Sequence, residues 1–152
     1  MAFSGNAFCT SAKVGFLSGL YTPLTDTMKI ALYTNTATLD ATTLVYTAPS
    51  NPAASPTSTG EVSTTGTNYT VGGNTLAGNA ISSGGTTAWI TFGDSSWTTA
   101  TFTARGALIY DSSRSNAAIA VLDFGADKTS TAGTFTVQMP LAGASTALIR
   151  IA

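Results

Sequence analysis

Histidine is absent from this chain, and cysteine and glutamate occur once each, as Cys9 and Glu61. The first absence excludes Ser-His-Asp and Cys-His catalysis and imidazole ligation of a metal. A single cysteine closes no internal disulfide and builds no thiolate zinc site. Charge is scarce too. The 152 residues hold 6 Lys+Arg and 7 Asp+Glu, where average usage of about a quarter gives ~38. With six basic residues and a pI of 4.9, no basic stripe for a phosphate backbone forms, and nucleic acid is not an expected partner.

No apolar run approaches the ~18 residues that span a bilayer, so no membrane partner is expected. The most apolar N-terminal stretch, residues 14–20, is broken by Gly15, Ser18 and Gly19 and has no early Lys or Arg. That makes a poor signal peptide, and the chain is expected to be kept or assembled in a reducing cytosol. Asn68-Tyr-Thr70 fits a glycosylation acceptor by pattern, which matters only in a secreted eukaryotic protein.

What remains is hydroxyl-rich and apolar. Thr (29) and Ser (16) supply most of the polarity, hydrophobic residues reach 43 %, and the mean hydropathy is +0.24. Disordered Ser/Thr-rich chains lack such aromatic and β-branched content. This one folds, and its length suits a single domain over residues 1–152.

Residues 11–21 place Val14, Leu17 and Leu20 at near-helical spacing, with Ser11 as N-cap, and predict a helix of two or three turns. Pro23 breaks it. From Asp26 the period changes to two: residues 29–34 read as a strand, and 43–47 as a shorter one. Residues 48–60 hold three of the five prolines and no large apolar side chain, and read as a mobile surface loop. Weak strand signals in 61–85 alternate with Gly and Asn turns. Stronger strands are predicted at 88–92 and 97–104.

The clearest unit follows. Runs at 105–110 and 117–124 flank a polar turn at 111–116, a hairpin with strands buried on both faces or covered by a partner subunit. A turn at 125–128 then leads to a strand at 133–139, with Phe135, Val137 and Met139 inward, ended by Pro140. The last strand is 147–151. About nine short strands behind one small helix predict an all-β, antiparallel β-sandwich, jelly-roll-like or immunoglobulin-like.

No catalytic constellation emerges. Gly143-Ala-Ser145-Thr-Ala147 lacks the second glycine of a nucleophile elbow and leads into a strand. Gly125-Ala-Asp-Lys128-Thr129 puts a carboxylate where a phosphate loop needs glycine. Asp123 and Asp127 offer too few oxygens for calcium. Lys13 and Lys29 have no neighbours that would depress a lysine pKa, and Cys9 reads as a packed or idle thiol. Trp89 and Trp97 are read as core or interface anchors, with a sugar-stacking platform as the competing view. The expectation is no enzyme and no cofactor. Strand edges with so few charges invite contact, and the domain reads as part of an assembly. Arg105, Arg114 and Arg150 are the candidate contact residues, because rare charges on a neutral surface serve pairing.

Two runs carry a resemblance: Asp26-Thr-Met-Lys-Ile-Ala-Leu-Tyr-Thr34, and the long run from Thr98 to Pro140, which includes Ala104-Arg-Gly-Ala-Leu-Ile-Tyr-Asp111, Ser115-Asn-Ala-Ala-Ile-Ala-Val-Leu-Asp-Phe-Gly-Ala-Asp-Lys-Thr-Ser130 and Gly133-Thr-Phe-Thr-Val137. Together with Lys13-Val14 and Leu17, over about two-thirds of the chain, they resemble a group of small virion structural proteins of tailed bacteriophages. The stretch 48–60 is longer than that group leads one to expect. The resemblance implies a capsid decoration (cement) protein that bridges the major capsid protein as a homodimer or homotrimer. Its place would be the virion surface, assembled in the bacterial host cytoplasm. A tail or fibre subunit and a carbohydrate-binding module are the competing expectations.

Overall fold

The computed structural model describes residues 3, 5–47 and 59–152. Two antiparallel sheets and one short helix make up an all-β, sandwich-like fold. The elements are β1 (Ala7–Phe8), α1 (Thr10–Leu17), β2 (Met28–Tyr33), β3 (Asn74–Thr75), β4 (Ala80–Gly84), β5 (Thr87–Thr91), β6 (Ser95–Asp111), β7 (Ala117–Val137) and β8 (Ile149–Ile151). The larger sheet runs β1-β7-β6-β2-β3 and the smaller β4-β5-β8.

The predicted hairpin is its spine. β6 and β7 pair antiparallel from Asp111↔Ala117 out to Ser95↔Val137, and residues 106–111 and 118–122 are all buried. β2 lies on the other side of β6, from Met28↔Asp111 to Tyr33↔Gly106. Burial on both faces is why these strands lack polar alternation. Gly106 is required there: a Cβ would run into the Leu122 carbonyl and the Phe3 ring.

Several expectations are corrected. Residues 97–104 and 105–110 form one 17-residue strand, and 117–124, 125–128 and 133–139 belong largely to one 21-residue strand. The 125–128 segment does not separate two strands: residues 124–127 lie opposite Arg105 alone as a wide bulge inside one strand, with Gly125 at φ +75°, and a smaller bulge falls at Ala132 (φ +49°). Asp123 and Asp127 therefore lie within β7. Residues 43–47 make only an isolated bridge, Val45↔Ala117. The predicted loop lies outside the described residues except for Thr59 and Gly60.

The helix, eight residues over Thr10–Leu17, has the two turns predicted but faces the other way. Cys9, not Ser11, is its N-cap, with no side-chain cap, and the Ser11 hydroxyl is buried without a partner. Ala12 and Gly15 are the buried residues, while Val14, Leu17 and Leu20 are 64 %, 82 % and 50 % exposed. The reason is steric. Tyr21 folds back onto Gly15, where any Cβ would enter its ring, and Phe16 packs between Phe8 and Tyr21. Small residues let the helix seat closely and push its large ones outward.

Candidate functional site

A cleft of about 480 Å³ lies against the far half of β7. Leu122, Phe124, Phe135 and Val137 of that strand line it, with Leu148 and Pro140 from the chain that follows. Asn6, Asp123, Lys128, Thr136 and Gln138 supply the polar groups. Phe135 belongs to an aromatic cluster, 5.0 Å from Phe102 and 6.3 Å from Trp97 between ring centres, and that cluster sets the cleft's floor. Phe124 stands 6.2 Å from Phe135.

Two cleft charges differ in their freedom. Asp123 accepts from the Gly125 N–H at 2.8 Å and from Arg105 Nε at 3.2 Å. The Gly125 N–H, and then the guanidinium, hold its carboxyl below the usual carboxylate range. Lys128, directly across from Ala104 on β6, has no carboxylate at ion-pair distance among the described residues.

The strand edge beside the cleft is open. β1 pairs with β7 only at Val121 and Ala120, and the Asp123 N–H goes to Asn6 Oδ1 at 2.7 Å. Among the described residues, no main-chain partner lies on the outer side of β7 beyond that point.

The three candidate arginines are scattered and each has a partner within the chain. Arg105 pairs with Asp123. Arg114 Nη2 reaches Asp26 Oδ1 at 3.1 Å, tying the hairpin turn to the 22–27 loop. Arg150 Nη1 donates to the Ser145 carbonyl at 2.5 Å. These pairs are partly exposed, so Arg105→Ala is expected to cost under about 1 kcal/mol in thermal denaturation, and Arg114→Ala to leave the melting temperature nearly unchanged. A loss of several times that would make them core supports.

Trp97 is buried, and its indole N–H has no partner. Trp89 sits half-buried on β5, across from Ser82 and Arg150. The two rings share no exposed face, which removes the paired sugar platform. Cys9 is fully buried, and burial, followed by the nearby Asp40 charge, pushes its thiol up to about 11. The thiol is packed in the core.

Two acidic sites escaped sequence reasoning. Glu61 accepts from Tyr69 Oη at 2.8 Å, Tyr46 Oη at 3.0 Å and the Gly72 N–H at 2.7 Å. Burial raises its carboxyl, opposed by those donors. Tyr69 in turn accepts the Leu32 N–H at 3.0 Å, and Tyr110 donates to the Gly72 carbonyl at 2.9 Å. Asp111 is fully buried at the hairpin tip. Its Oδ1 takes the Ser113 N–H at 2.9 Å and its Oδ2 has no partner. Neither site opens onto the cleft.

No family model, curated protein or solved structure matches this chain. Its chemistry is therefore read from the side chains. The cleft brings together an apolar floor, one unpaired ammonium and an open backbone edge, an arrangement suited to adhesion.

Proposed function

We propose that this chain is a bacteriophage virion structural protein, a capsid decoration (cement) subunit that holds neighbouring major capsid proteins together. The resemblance in residues 26–34 and 98–140 motivates this reading. The observation that carries it is uncovered apolar surface: Val14, Leu17, Leu20 and Leu24 all lie exposed in one N-terminal stretch, and Leu141 beside the cleft is 81 % exposed. Single exposed aliphatics are ordinary, but a run of four on a chain with 13 charges marks a surface meant to be covered.

The mechanism is adhesion without chemistry. Copies docked at fixed lattice spacings gain avidity that no single contact provides. A net charge of −1 limits repulsion among crowded copies. Homodimers or homotrimers would bury the α1 surface or present it to the capsid, with assembly in the bacterial cytoplasm.

Cryo-electron microscopy of the purified particle tests the reading. Density for this chain is expected at local symmetry axes on the outside of the head. Density confined to the tail would replace the decoration role by that of a tail subunit. Absence from the particle would overturn both.

A further inference from the structure

Open strand edges normally carry protection: lysines, prolines, bulges or a covering loop. On β7 the protection is partial and sharply placed. Gly125 and Ala132, with φ of +75° and +49°, are irregular points. Between them residues 126–131 are strand residues, all but one exposed, with no proline and no main-chain partner on their outer side among the described residues; Lys128, Thr129 and Ser130 are the ones in register with β6, next to a wide bulge at 124–127 opposite Arg105. The cleft opens beside this window, and Phe124 and Lys128 in its wall come from the same strand.

Recognition by strand addition needs both of these parts. Main-chain hydrogen bonds to an edge supply affinity, and a pocket beside the edge selects alternate side chains of the incoming strand. The ligand's chemistry follows from the lining. The floor of Phe124, Phe135 and Leu148 takes a large apolar side chain. Asp123 is already engaged by Arg105 and the Gly125 N–H, whereas Lys128 is unpaired. The missing complement is an acid.

We infer that the outer edge of β7 binds an extended segment of another polypeptide, with a bulky apolar residue seated in the cleft and an acidic residue two positions along against Lys128. Residues two apart share one face of a strand, so both reach the same side. This deepens the adhesion reading and rests on it for the biological partner, but it is testable on the isolated chain.

The probe is the peptide acetyl-Ser-Thr-Leu-Thr-Asp-Thr-Ser-amide, titrated into the ¹⁵N-labelled full-length chain. Amide shifts are expected to move at residues 124–131, at 135–138 and at Leu148. Replacing the peptide's Leu by Ala is expected to weaken binding about tenfold, and its Asp by Asn several-fold. The exposed substitution Lys128→Glu is expected to abolish binding of the acidic peptide and leave the melting temperature unchanged. No shift at the β7 edge up to about 5 mM peptide, or shifts indifferent to Lys128→Glu, would overturn strand addition. Decoration of particles is scored separately. If the Lys128→Glu chain decorates as well as wild type, this site is not the contact although the virion role stands. Failure of wild type to decorate removes the virion role and leaves the peptide result to decide the site.

Discussion

Replacing Glu61 by Ala is expected to lower stability by about 3–5 kcal/mol and the melting temperature by roughly 10 °C. The only glutamate of the chain is a structural hub. Removing it strands the Tyr46 and Tyr69 hydroxyls and the Gly72 N–H, all presently within 3.0 Å of its oxygens. An orphaned buried donor costs about 1–3 kcal/mol, against a total of some 5–15 for a domain of this kind. Tyr69 spreads the damage, because the same hydroxyl accepts the Leu32 N–H of β2. Gly72 spreads it further through the Tyr110 hydroxyl on its carbonyl. Its neighbour Gly73 sits with φ +67° over the Ile30 carbonyl, where no side chain fits, so this turn has no room to relax.

Glu61→Gln separates charge from hydrogen bonding. The amide keeps one acceptor and turns a donor toward the phenols, so about half the loss is expected. Circular dichroism melts of the two variants decide the matter. A change under about 1 kcal/mol for Glu61→Ala would mean that the tyrosines find other partners and that the hub is incidental.

Why was Glu61 not visible in the sequence? Its burial depends on Tyr46, Tyr69 and Gly72, which surround it only once the chain between β2 and β3 has wrapped across the sheet. The same holds for the cleft. Phe135 alternates correctly with its neighbours, as Val137 does, but its pairing with Phe124 requires one strand to continue through Gly125. Glycine there reads equally as a turn or as a bulge, and only the φ of +75° decides. What was legible rests on local rules. The β-branched and aromatic content of 29–34 gave β2 (Met28–Tyr33), although its burial runs on without alternation, and the polar run between two apolar ones gave the hairpin. The helix was located but inverted. Periodicity assigns large residues to the buried face, and here Tyr21 occupies that face and leaves space only for Ala12 and Gly15.

The hairpin tip should make the protein more stable in weak acid than at neutral pH. Asp111 is wholly buried with Oδ2 unpartnered. Burial pushes its carboxyl up to about 6, the facing Asp26 adds to this, and the Ser113 N–H and Arg114 oppose it. Tyr21 and Arg114 are the other ionisable groups that sense it. With a folded value near 6 and an unfolded one near 4, the folded chain keeps a proton that the unfolded chain has released. Stability therefore falls as pH rises through that window and levels off above about 6. Asp26, Asp40 and Asp123 act in the opposite sense. Their carboxyls are held below the ordinary range, so their contribution is lost as pH drops through it.

Asp111→Asn isolates the effect. The carboxamide oxygen can keep the Ser113 N–H, and its N–H₂ supplies permanently the proton that the acid offers Asp26 only when protonated. At pH 7.5 the variant is expected to be more stable than wild type by about 2 kcal/mol, and near pH 4.5 the two should coincide. A smaller slope should persist in the variant, because burial raises Glu61 as well. Chemical denaturation at half-unit steps from pH 4.5 to 8 gives the comparison. Parallel curves for the two proteins would show that Asp111 does not titrate in this range. A variant weaker at every pH would show that the buried carboxylate is satisfied as it stands, with Arg114 drawn to it as well as to Asp26.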